Sequence, residues 1–182
     1  MLLNDIDLER AIEAGEIGLT PYDRSRIQPS SVDMTLGTQL SWPRSPGIGV
    51  LDLKQDCTQH AKKEVIEDYF DLHPQEFILA TTHEVLRLPD HYAARVEGKS
   101  SLGRLGLLIH ATAGFIDPGF EGQVTLELYN LLDLPIRLYP HMPVAQLAVF
   151  QMSGPASVPY KGKYQGQTGP QVSKFHQNFL DH

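Results

Sequence analysis

Alternation of hydrophobic and polar residues along this chain predicts a mainly β protein. From Ser31 onward, Val32, Met34 and Leu36 lie on one face of a predicted strand, and the residues between them are polar. Further short strands, bounded by Pro, Gly or Asp, are predicted at 76–81, 93–97, 107–111, 123–129, 136–139 and 144–151. Short strands at this spacing are typical of a distorted antiparallel β-barrel or jelly roll.

One short helix is predicted at the N-terminus. Asn4 can cap a helix over residues 5–14, in which Leu8 and Ile12 are spaced to share one buried face. Gly15 provides a stop signal directly after it. We expect this helix to pack on the edge of the domain.

The length of 182 residues favours a single domain, and 41% hydrophobic residues are enough for one sizeable core. Residues 42–75 mix Pro and Gly with charged residues, so we expect a loop-rich excursion with one or two short strands. Residues 160–182 are polar and aromatic, as expected of a closure tail. The chain has no apolar run of membrane-spanning length and no secretory signal at its start, which makes a cytoplasmic location the default.

Charge and cysteine content narrow the classes of ligand. The formal net charge of −7 disfavours an extended nucleic-acid surface, because binding to a phosphate backbone relies on clustered Lys and Arg. A small anionic ligand remains compatible, since a local cationic loop or a metal ion can override the net charge. Cys57 is the single cysteine, so we expect a reduced structural thiol and no multi-cysteine zinc site within the chain.

Residues 98–130, GKSSLGRLGLLIHATAGFIDPGFEGQVTLELYN, carry the densest chemistry of the chain. Lys99, Ser100, Ser101 and Arg104 place two cations and two hydroxyls within six positions. The glycines among them allow a backbone to approach a polyphosphate closely. The same residue types also occur in ordinary solvated turns, so the loop alone leaves both interpretations open.

Two carboxylates in the same stretch are candidates for proton transfer or metal binding. Glu127 shares one strand face with Gln123, Thr125 and Tyr129, and this pattern by itself is typical of a solvated face. Asp117 precedes a Pro-Gly pair, which is typical of a turn. The local pattern therefore leaves a structural and a catalytic interpretation of each carboxylate open.

As a whole string, residues 98–130 resemble the core signature of the dCTP deaminases, which share a superfamily with the trimeric dUTPases. The resemblance extends to MLLNDIDLERAIEAGEIGL at the start, IQPSSVDMTLG at 27–37 and KYQGQTGPQVSKFHQNF at 163–179. It is strongest to the bifunctional, dUMP-forming deaminases. The tail departs from the Gly-rich, Arg-containing motif of dUTPases, which argues against a plain dUTPase. The resemblance implies a dUTPase-like β fold.

The resemblance implies catalytic roles for four residues. Glu127 matches the proton shuttle that accepts a proton from water attacking C4 of cytosine and passes one toward the departing ammonia. Asp117 matches the residue that meets the deoxyribose 3′-hydroxyl and positions or activates the water for phosphate hydrolysis. Ser100 is expected to help hold the catalytic water, and Arg104 to contact phosphate or steady Glu127.

A wider set of substrate contacts is also implied by the resemblance. The residues expected to bind the nucleotide are Lys99, Ser100, Ser101, Leu102, Gly103, Arg104, Asp117, Thr125, Leu126, Glu127, Gln146, Tyr160, Lys163 and Gln167. Lys99 stands where the family often has Arg, so it supplies a cation without a bidentate fork. Gly114 and Phe115 match the Gly-Phe or Gly-Trp pair of bifunctional members, whereas monofunctional members tend to carry a bulkier polar pair such as His-Arg.

No zinc is expected at this site. Zinc-dependent cytidine deaminases need an H-x-E motif with P-C-x-x-C, which one cysteine cannot supply, and the eight histidines show no metal-binding spacing. His110, the nearest of them to the expected site, is interpreted as structural. The resemblance implies Mg²⁺ held by the phosphates of the substrate, with no direct protein ligand.

The expected function is a zinc-independent dCTP deaminase that also hydrolyses dUTP to dUMP, supplying dUMP for thymidylate synthesis. The resemblance implies a homotrimer with sites at subunit interfaces, dCTP and dUTP as ligands, dTTP as an inhibitor, and neither nucleic acid nor membrane as a partner. Three alternatives stay open: a monofunctional deaminase that releases dUTP, a dUTPase without deaminase activity, and a non-catalytic nucleotide-binding regulator.

Overall fold

Residues 1–43, 50–56, 58 and 61–180 are described by the computed structural model of the chain. They include two helices, α1 (Asp5–Glu13) and α2 (Ser100–Gly103), and 3₁₀ turns at Arg24–Arg26 and Phe175–Phe179. The strands are β1 (Gly18–Thr20), β2 (Ile27–Gln28), β3 (Ser31–Thr35), β4 (Gln39–Pro43), β5 (Ala61–Val65), β6 (Phe70–Leu72), β7 (Phe77–Arg87), β8 (Tyr92–Gly98), β9 (Leu107–Leu108), β10 (Phe115–Ile116), β11 (Glu121–Asn130), β12 (Ile136–Leu138) and β13 (Pro143–Gln151).

Two antiparallel sheets form the body of the protein. The first has the order β5-β4-β7-β11-β9, with β1 also paired to β7, and the second has the order β10-β8-β13-β3-β2. Strands β6 and β12 form a separate antiparallel pair. The predicted mainly β, antiparallel fold with one short N-terminal helix is confirmed. No helix in the described ranges is both long enough and apolar enough to cross a membrane.

The N-terminal helix forms as its sequence predicts. Asn4 Oδ1 accepts a hydrogen bond from the Asp7 backbone N–H at 2.8 Å, which satisfies one of the free N–H groups of the first turn. Leu8 and Ile12 are buried in the core cluster that also draws on both sheets. The helix ends at Glu13, one residue before the predicted end, and Gly15 follows with a left-handed φ of +72°.

The strand at Ser31–Thr35 is buried on both faces, so its predicted polar face is not solvated. Thr35 donates its hydroxyl to Glu84 Oε1 at 2.6 Å and its backbone N–H to Glu84 Oε2 at 2.9 Å. The Arg26 guanidinium donates to the same carboxylate at 2.8 Å. Glu84 is 1% exposed, and these partners satisfy a charge that would otherwise be costly to bury.

Strand β7 is longer than the predicted 76–81 because it continues through an irregularity opposite β11. The pairing register shifts between Gln123 and Thr125, so that Thr82, His83 and Glu84 bulge out of the ladder. The Thr82 hydroxyl accepts the Val124 backbone N–H at 2.9 Å across the shift. Burial, together with the neighbouring His141, lowers the pKa of His83, which favours its neutral form.

The other strand predictions are confirmed in position and differ in length. Strands β8, β11 and β13 extend beyond the predicted 93–97, 123–129 and 144–151, whereas 107–111 is a strand only at Leu107–Leu108. Strands β1, β2, β4 and β10 have no counterpart among the predicted strands. The excursion at 42–75 contains the two short strands β5 and β6. Residues 44–49, 57, 59 and 60, which include Cys57, lie outside the described residues.

Candidate functional site

A cavity of about 580 Å³ opens beside β11, and we call it the β11 cavity. Its walls come from β7, β8 and β11, from the segment 110–120 and from the tail. Six of the residues predicted from the sequence line it: Phe115, Asp117, Thr125, Glu127, Tyr160 and Gln167. The cavity therefore gathers predicted residues that are up to 52 positions apart in sequence, from 115 to 167, around one concave surface.

Glu127 is placed on the cavity wall by the alternation of β11. Val124, Leu126 and Leu128 are buried on the core face, as predicted, while Thr125 and Glu127 are half-buried on the opposite face. The Glu127 carboxylate Oε2 accepts the backbone N–H of Ala111 at 3.1 Å. The face that would be solvated on pattern alone is thus roofed by the 110–120 segment and the tail.

The segment from residue 109 to 114 is hydrogen-bonded to both β11 and β8, and these bonds fix its position over Glu127. The Ile109 carbonyl accepts the Glu127 backbone N–H at 3.0 Å, and the Gly114 carbonyl accepts the Val96 N–H at 2.9 Å. A Cβ on Gly114 would lie 2.5 Å from the Val96 carbonyl oxygen, so only glycine fits without displacing this segment. Gly114 therefore faces backbone, and a larger side chain there would move the segment rather than simply fill the cavity.

His110 lies in the same segment and lines the β11 cavity. Both of its ring nitrogens are buried, and neither has a hydrogen-bond partner within the described ranges. A buried imidazole usually has partners for its polar atoms. His110 was expected to be the histidine nearest the site, and it does line the cavity; its structural role stays a prediction.

Asp117 lies at the start of a tight turn at the cavity mouth. Its carbonyl accepts the Phe120 N–H at 3.2 Å, and Gly119 adopts a φ of +88°, so the turn formation expected from the Asp-Pro-Gly sequence is present. The Tyr160 N–H donates to the Pro118 carbonyl at 2.7 Å. The turn therefore presents the exposed Asp117 side chain to the cavity and also anchors the beginning of the tail.

The tail runs back along β11 and forms one wall of the cavity. Gln167 forms a parallel bridge with Gly122 and donates its Nε2 to the Gln123 carbonyl at 2.6 Å. The Thr125 hydroxyl oxygen accepts weaker bonds from Gln167 Nε2 and from the Gln171 N–H, both at 3.4 Å. The predicted closure tail thus packs against its own chain, and Tyr164, Gln171 and Ser173 join the lining without having been predicted.

Lys163 does not line the cavity, although it was predicted to bind substrate. Its Nζ donates to the Lys174 carbonyl at 3.2 Å and to Asn178 Oδ1 at 2.7 Å. In return, Lys174 Nζ donates to the Lys163 carbonyl at 2.8 Å. This reciprocal contact closes the distal part of the tail on itself.

Seven further predicted residues form a second group, residues 99–104 together with Gln146, which we call the cationic group. It lies at the ends of β8 and β13, where the Lys99 N–H donates to the Val144 carbonyl at 3.3 Å. Lys99 Nζ is paired with Asp33 Oδ1 at 2.6 Å, and Gln146 Nε2 donates to Ser31 Oγ at 3.3 Å. None of the cationic group lines the β11 cavity.

Leu126 is the predicted contact whose side chain faces away from the cavity. It is 0% exposed and belongs to the core cluster. Only its backbone could reach a ligand. Within 125–128 the cavity residues Thr125 and Glu127 therefore alternate with the core residues Leu126 and Leu128, as a strand period of two requires, whereas the buried Val124 also reaches the cavity lining.

The acidic and the basic side chains predicted for the site lie in different parts of the structure. The described lining of the β11 cavity includes the carboxylates Asp117 and Glu127 and contains no Lys or Arg. Lys99 and Arg104 lie in the cationic group instead. Within the described ranges, no cluster of three or more His, Cys, Asp or Glu side chains is arranged to hold a metal ion.

The fold of this chain matches that of a solved deaminase structure. The structure matches the crystal structure of 2′-deoxycytidine 5′-triphosphate deaminase from Agrobacterium tumefaciens with a TM-score of 0.66. The match has 22% sequence identity and covers 81% of this chain and 47% of that one, so this chain spans about half the length of that protein. At this identity the match establishes a common fold.

Sequence comparisons identify the family to which the chain belongs. A family model described as dCTP deaminase-like matches residues 2–152. A relative from Corynebacterium glutamicum (strain R), named "dCTP deaminase, dUMP-forming", is 50% identical over 186 residues, which cover 98% of this chain and 98% of the relative. A relative from Streptomyces griseus with the same name is 49% identical over 98% of this chain and 97% of the relative. The chain belongs to the dCTP deaminase-like family.

Proposed function

We propose that this protein is a zinc-independent dCTP deaminase that also forms dUMP, converting dCTP and two waters to dUMP, ammonia and diphosphate. One observation carries the proposal: the half-buried Glu127 lies on the cavity wall with Oε2 held by the Ala111 N–H. The relatives at about 50% identity are named for this reaction, which supports it.

In the proposed deamination, Glu127 acts as a general base and then as a general acid. It takes a proton from water as the water oxygen bonds to C4 of cytosine. It gives a proton to the amino group as the C4–N bond breaks and ammonia leaves. The Ala111 N–H leaves one carboxylate oxygen, Oε1, for this transfer while it holds Oε2.

In the proposed second step, Asp117 positions a water that attacks the α-phosphorus of dUTP, and diphosphate is the leaving group. Asp117 is exposed at the cavity mouth on a tight turn, where it can contact both the sugar and a water. The Gly114-Phe115 pair is proposed to mark the bifunctional form. Phe115 is 68% exposed and lines the cavity, so it can cover a bound nucleotide.

We further propose that the active protein is a homotrimer in which each site uses two chains. A triphosphate carries several negative charges, and a lining with two carboxylates and no Lys or Arg among the described residues does not neutralise them. The cationic group of a neighbouring subunit would supply Lys99, Ser100, Ser101 and Arg104 to the phosphates, and its Ser100 would help hold the attacking water. The tail would complete the site with Tyr160, Lys163 and Gln167.

Mg²⁺ is proposed to enter as part of the substrate, bound to the triphosphate. The described cavity residues offer two carboxylates and no three-ligand cluster, which fits a metal carried by the phosphates better than a resident one. The metal would neutralise phosphate charge. Inhibition by dTTP, implied by the family resemblance, is part of the same proposal.

A product assay tests the proposal. The purified protein is incubated with dCTP and Mg²⁺, and the nucleotides are separated by chromatography. We expect mainly dUMP; dUTP would indicate a monofunctional deaminase, and turnover of dUTP alone would indicate a dUTPase. Binding without turnover of either would indicate a regulator. EDTA should stop the reaction and Mg²⁺ restore it, and addition of dTTP should slow it.

A further inference from the structure

Gln123 ties the tail to β11, and the proposed reaction gives it no role. Its backbone N–H donates to the Gln167 carbonyl at 3.0 Å, and its carbonyl accepts Gln167 Nε2 at 2.6 Å. Its side-chain Oε1 accepts the Gly169 N–H at 2.8 Å. One residue of β11 therefore makes three hydrogen bonds to the tail.

The amide of Gln123 also reaches in the opposite direction, to the bulge of β7. Its Nε2 donates to the Thr82 carbonyl at 2.9 Å and to the His83 carbonyl at 3.4 Å. These carbonyls lie where the ladder between β7 and β11 is interrupted by the register shift. A primary amide is suited to this place because it donates from one end and accepts at the other.

These bonds fix how Gln167 meets the cavity. Gly122 allows the close approach, since a Cβ there would lie 2.9 Å from the Gln167 carbonyl oxygen and 3.0 Å from its nitrogen. Gln167 Nε2 is engaged by the Gln123 carbonyl and, more weakly, by Thr125. Its Oε1 is therefore the polar atom that Gln167 can offer to a donor group of a bound nucleotide.

We propose that Gln123 is a positioning residue that joins the β7 bulge to the tail and so holds the tail wall of the β11 cavity in register. The effect on turnover rests on the proposed function, whereas the effect on the tail does not. Gln123 contacts no reacting atom in this proposal, and it acts through Gln167 and Gly169.

The test uses Gln123→Met, which preserves side-chain length and removes both ends of the amide. Gln151→Met, at the exposed end of β13, is the matched control. Two ordinary hydrogen bonds correspond to about a tenfold change in an equilibrium, so we expect KM for dCTP to rise about tenfold with kcat within about twofold of wild type. Hydrogen exchange should accelerate at residues 163–174, and the control should match wild type in both measurements.

A purely structural role predicts a different result. In that case the melting temperature and the active fraction would fall, with KM and tail exchange unchanged, and the proposal would be overturned. A rise in KM without faster exchange would also overturn it, because Gln123 would then act on the substrate directly. In a double-mutant cycle measured by hydrogen exchange of the tail in the free protein, Gln167→Met should add little to Gln123→Met, since both release the same wall; full additivity of the exchange effects contradicts the mechanism.

A second variant keeps the test decisive if Gln123→Met does not fold. Gln123→Glu retains the acceptor for the Gly169 N–H and loses the donor to the β7 carbonyls, so we expect a smaller KM increase, about threefold, with faster exchange in the tail. If hydrogen exchange in the tail is unchanged in that variant, the proposal that Gln123 anchors the tail is rejected. If the wild-type protein does not turn over dCTP, the proposed function fails, while the exchange measurement on the free protein still decides whether Gln123 anchors the tail.

Discussion

The β11 cavity and the cationic group each contain two of the four predicted catalytic residues, and they are built in opposite ways. The cavity is lined by three strands, the 110–120 segment and the tail, and hydrogen bonds within one chain tie that segment and the tail to β11. The cationic group has no comparable enclosure: Ser100, Ser101, Gly103 and Arg104 are exposed on the short helix α2 and its end. The β11 cavity is a concave surface enclosed within one chain, whereas the cationic group lies exposed on the surface.

This difference separates two requirements of a nucleotide enzyme. The base needs a desolvated pocket with a fixed carboxylate, which one chain can supply from adjacent strand residues. The triphosphate needs several cations, which here lie on a different part of the surface. Lys99 is already paired with Asp33 at 2.6 Å, so its charge is also partly compensated within its own chain. The following predictions test this division, from the largest expected effect to the smallest.

The largest effect is expected from Glu127→Gln in the cavity. The amide is nearly isosteric and can still accept the Ala111 N–H, but it cannot act as a general base, so deamination should fall by at least ~10²-fold. Binding of dCTP should change little. Rates of dUMP formation and calorimetric titration measure the two quantities. Glu121→Gln, at the exposed start of the same strand, is the control; near-normal turnover by Glu127→Gln removes this residue from the mechanism.

Subunit mixing tests whether the two regions meet across an interface. Arg104→Ala and Glu127→Gln are each expected to be nearly inactive alone. If each site takes Glu127 from one chain and Arg104 from another, a random equal mixture of the two chains should recover about a quarter of wild-type activity. The chains are co-expressed and assayed as the mixture. Activity that stays at the level of the separate variants means that both residues serve the same chain's site.

Asp117→Asn should separate the two reactions within the cavity. The amide retains a hydrogen bond to the sugar and loses the negative charge that polarises water, so hydrolysis should fall about tenfold more than deamination. The measurement is the ratio of dUTP to dUMP during dCTP turnover, with the exposed Asp133→Asn as control. A dUMP-only product from Asp117→Asn would place the hydrolytic water elsewhere.

The smallest effect is expected at Gly114. Its Cβ would lie 2.5 Å from the Val96 carbonyl oxygen, so Gly114→Ala should displace the 109–114 segment at a cost of about 1–3 kcal/mol in the free energy of unfolding. Because that segment holds the Glu127 carboxylate through Ala111, deamination should fall together with hydrolysis, by a few-fold. Thermal unfolding and product ratios measure this. Gly154→Ala, where a Cβ meets no atom within 4 Å, is the control. Loss of hydrolysis alone would instead favour crowding of the hydrolytic water.

Local pattern was enough for β11 and for α1, because both depend on short-range rules. Alternation alone gives the buried face of Val124, Leu126 and Leu128, and one side-chain cap together with a following glycine gives the helix. The roles proposed for Glu127 and Asp117 needed the family resemblance, since the same strand face and the same turn occur on ordinary surfaces.

The extension of β7 and the position of the tail could not be predicted, because both depend on contacts with residues far away in sequence. Glu84 gives β7 a polar appearance beyond residue 81, and its burial is compensated by Arg26, 58 positions away, and by Thr35, 49 positions away. The tail wall has the same origin, since Gly169 meets Gln123 across 46 positions. The isolated sequence of either segment contains no sign of which strand it will contact.

The position of the tail wall in the sequence also determines when the β11 cavity can be enclosed during translation. Both carboxylates and both sheets are encoded before residue 152, whereas Tyr160, Tyr164, Gln167, Gln171 and Ser173 are made after them. A chain emerging from the ribosome can therefore assemble its strands while the cavity is still open on one side. A premature stop after β13 would leave a product with Glu127 and Asp117 in place and no tail to enclose them. The cavity can therefore be enclosed on this side only after residues 160–173 have been made.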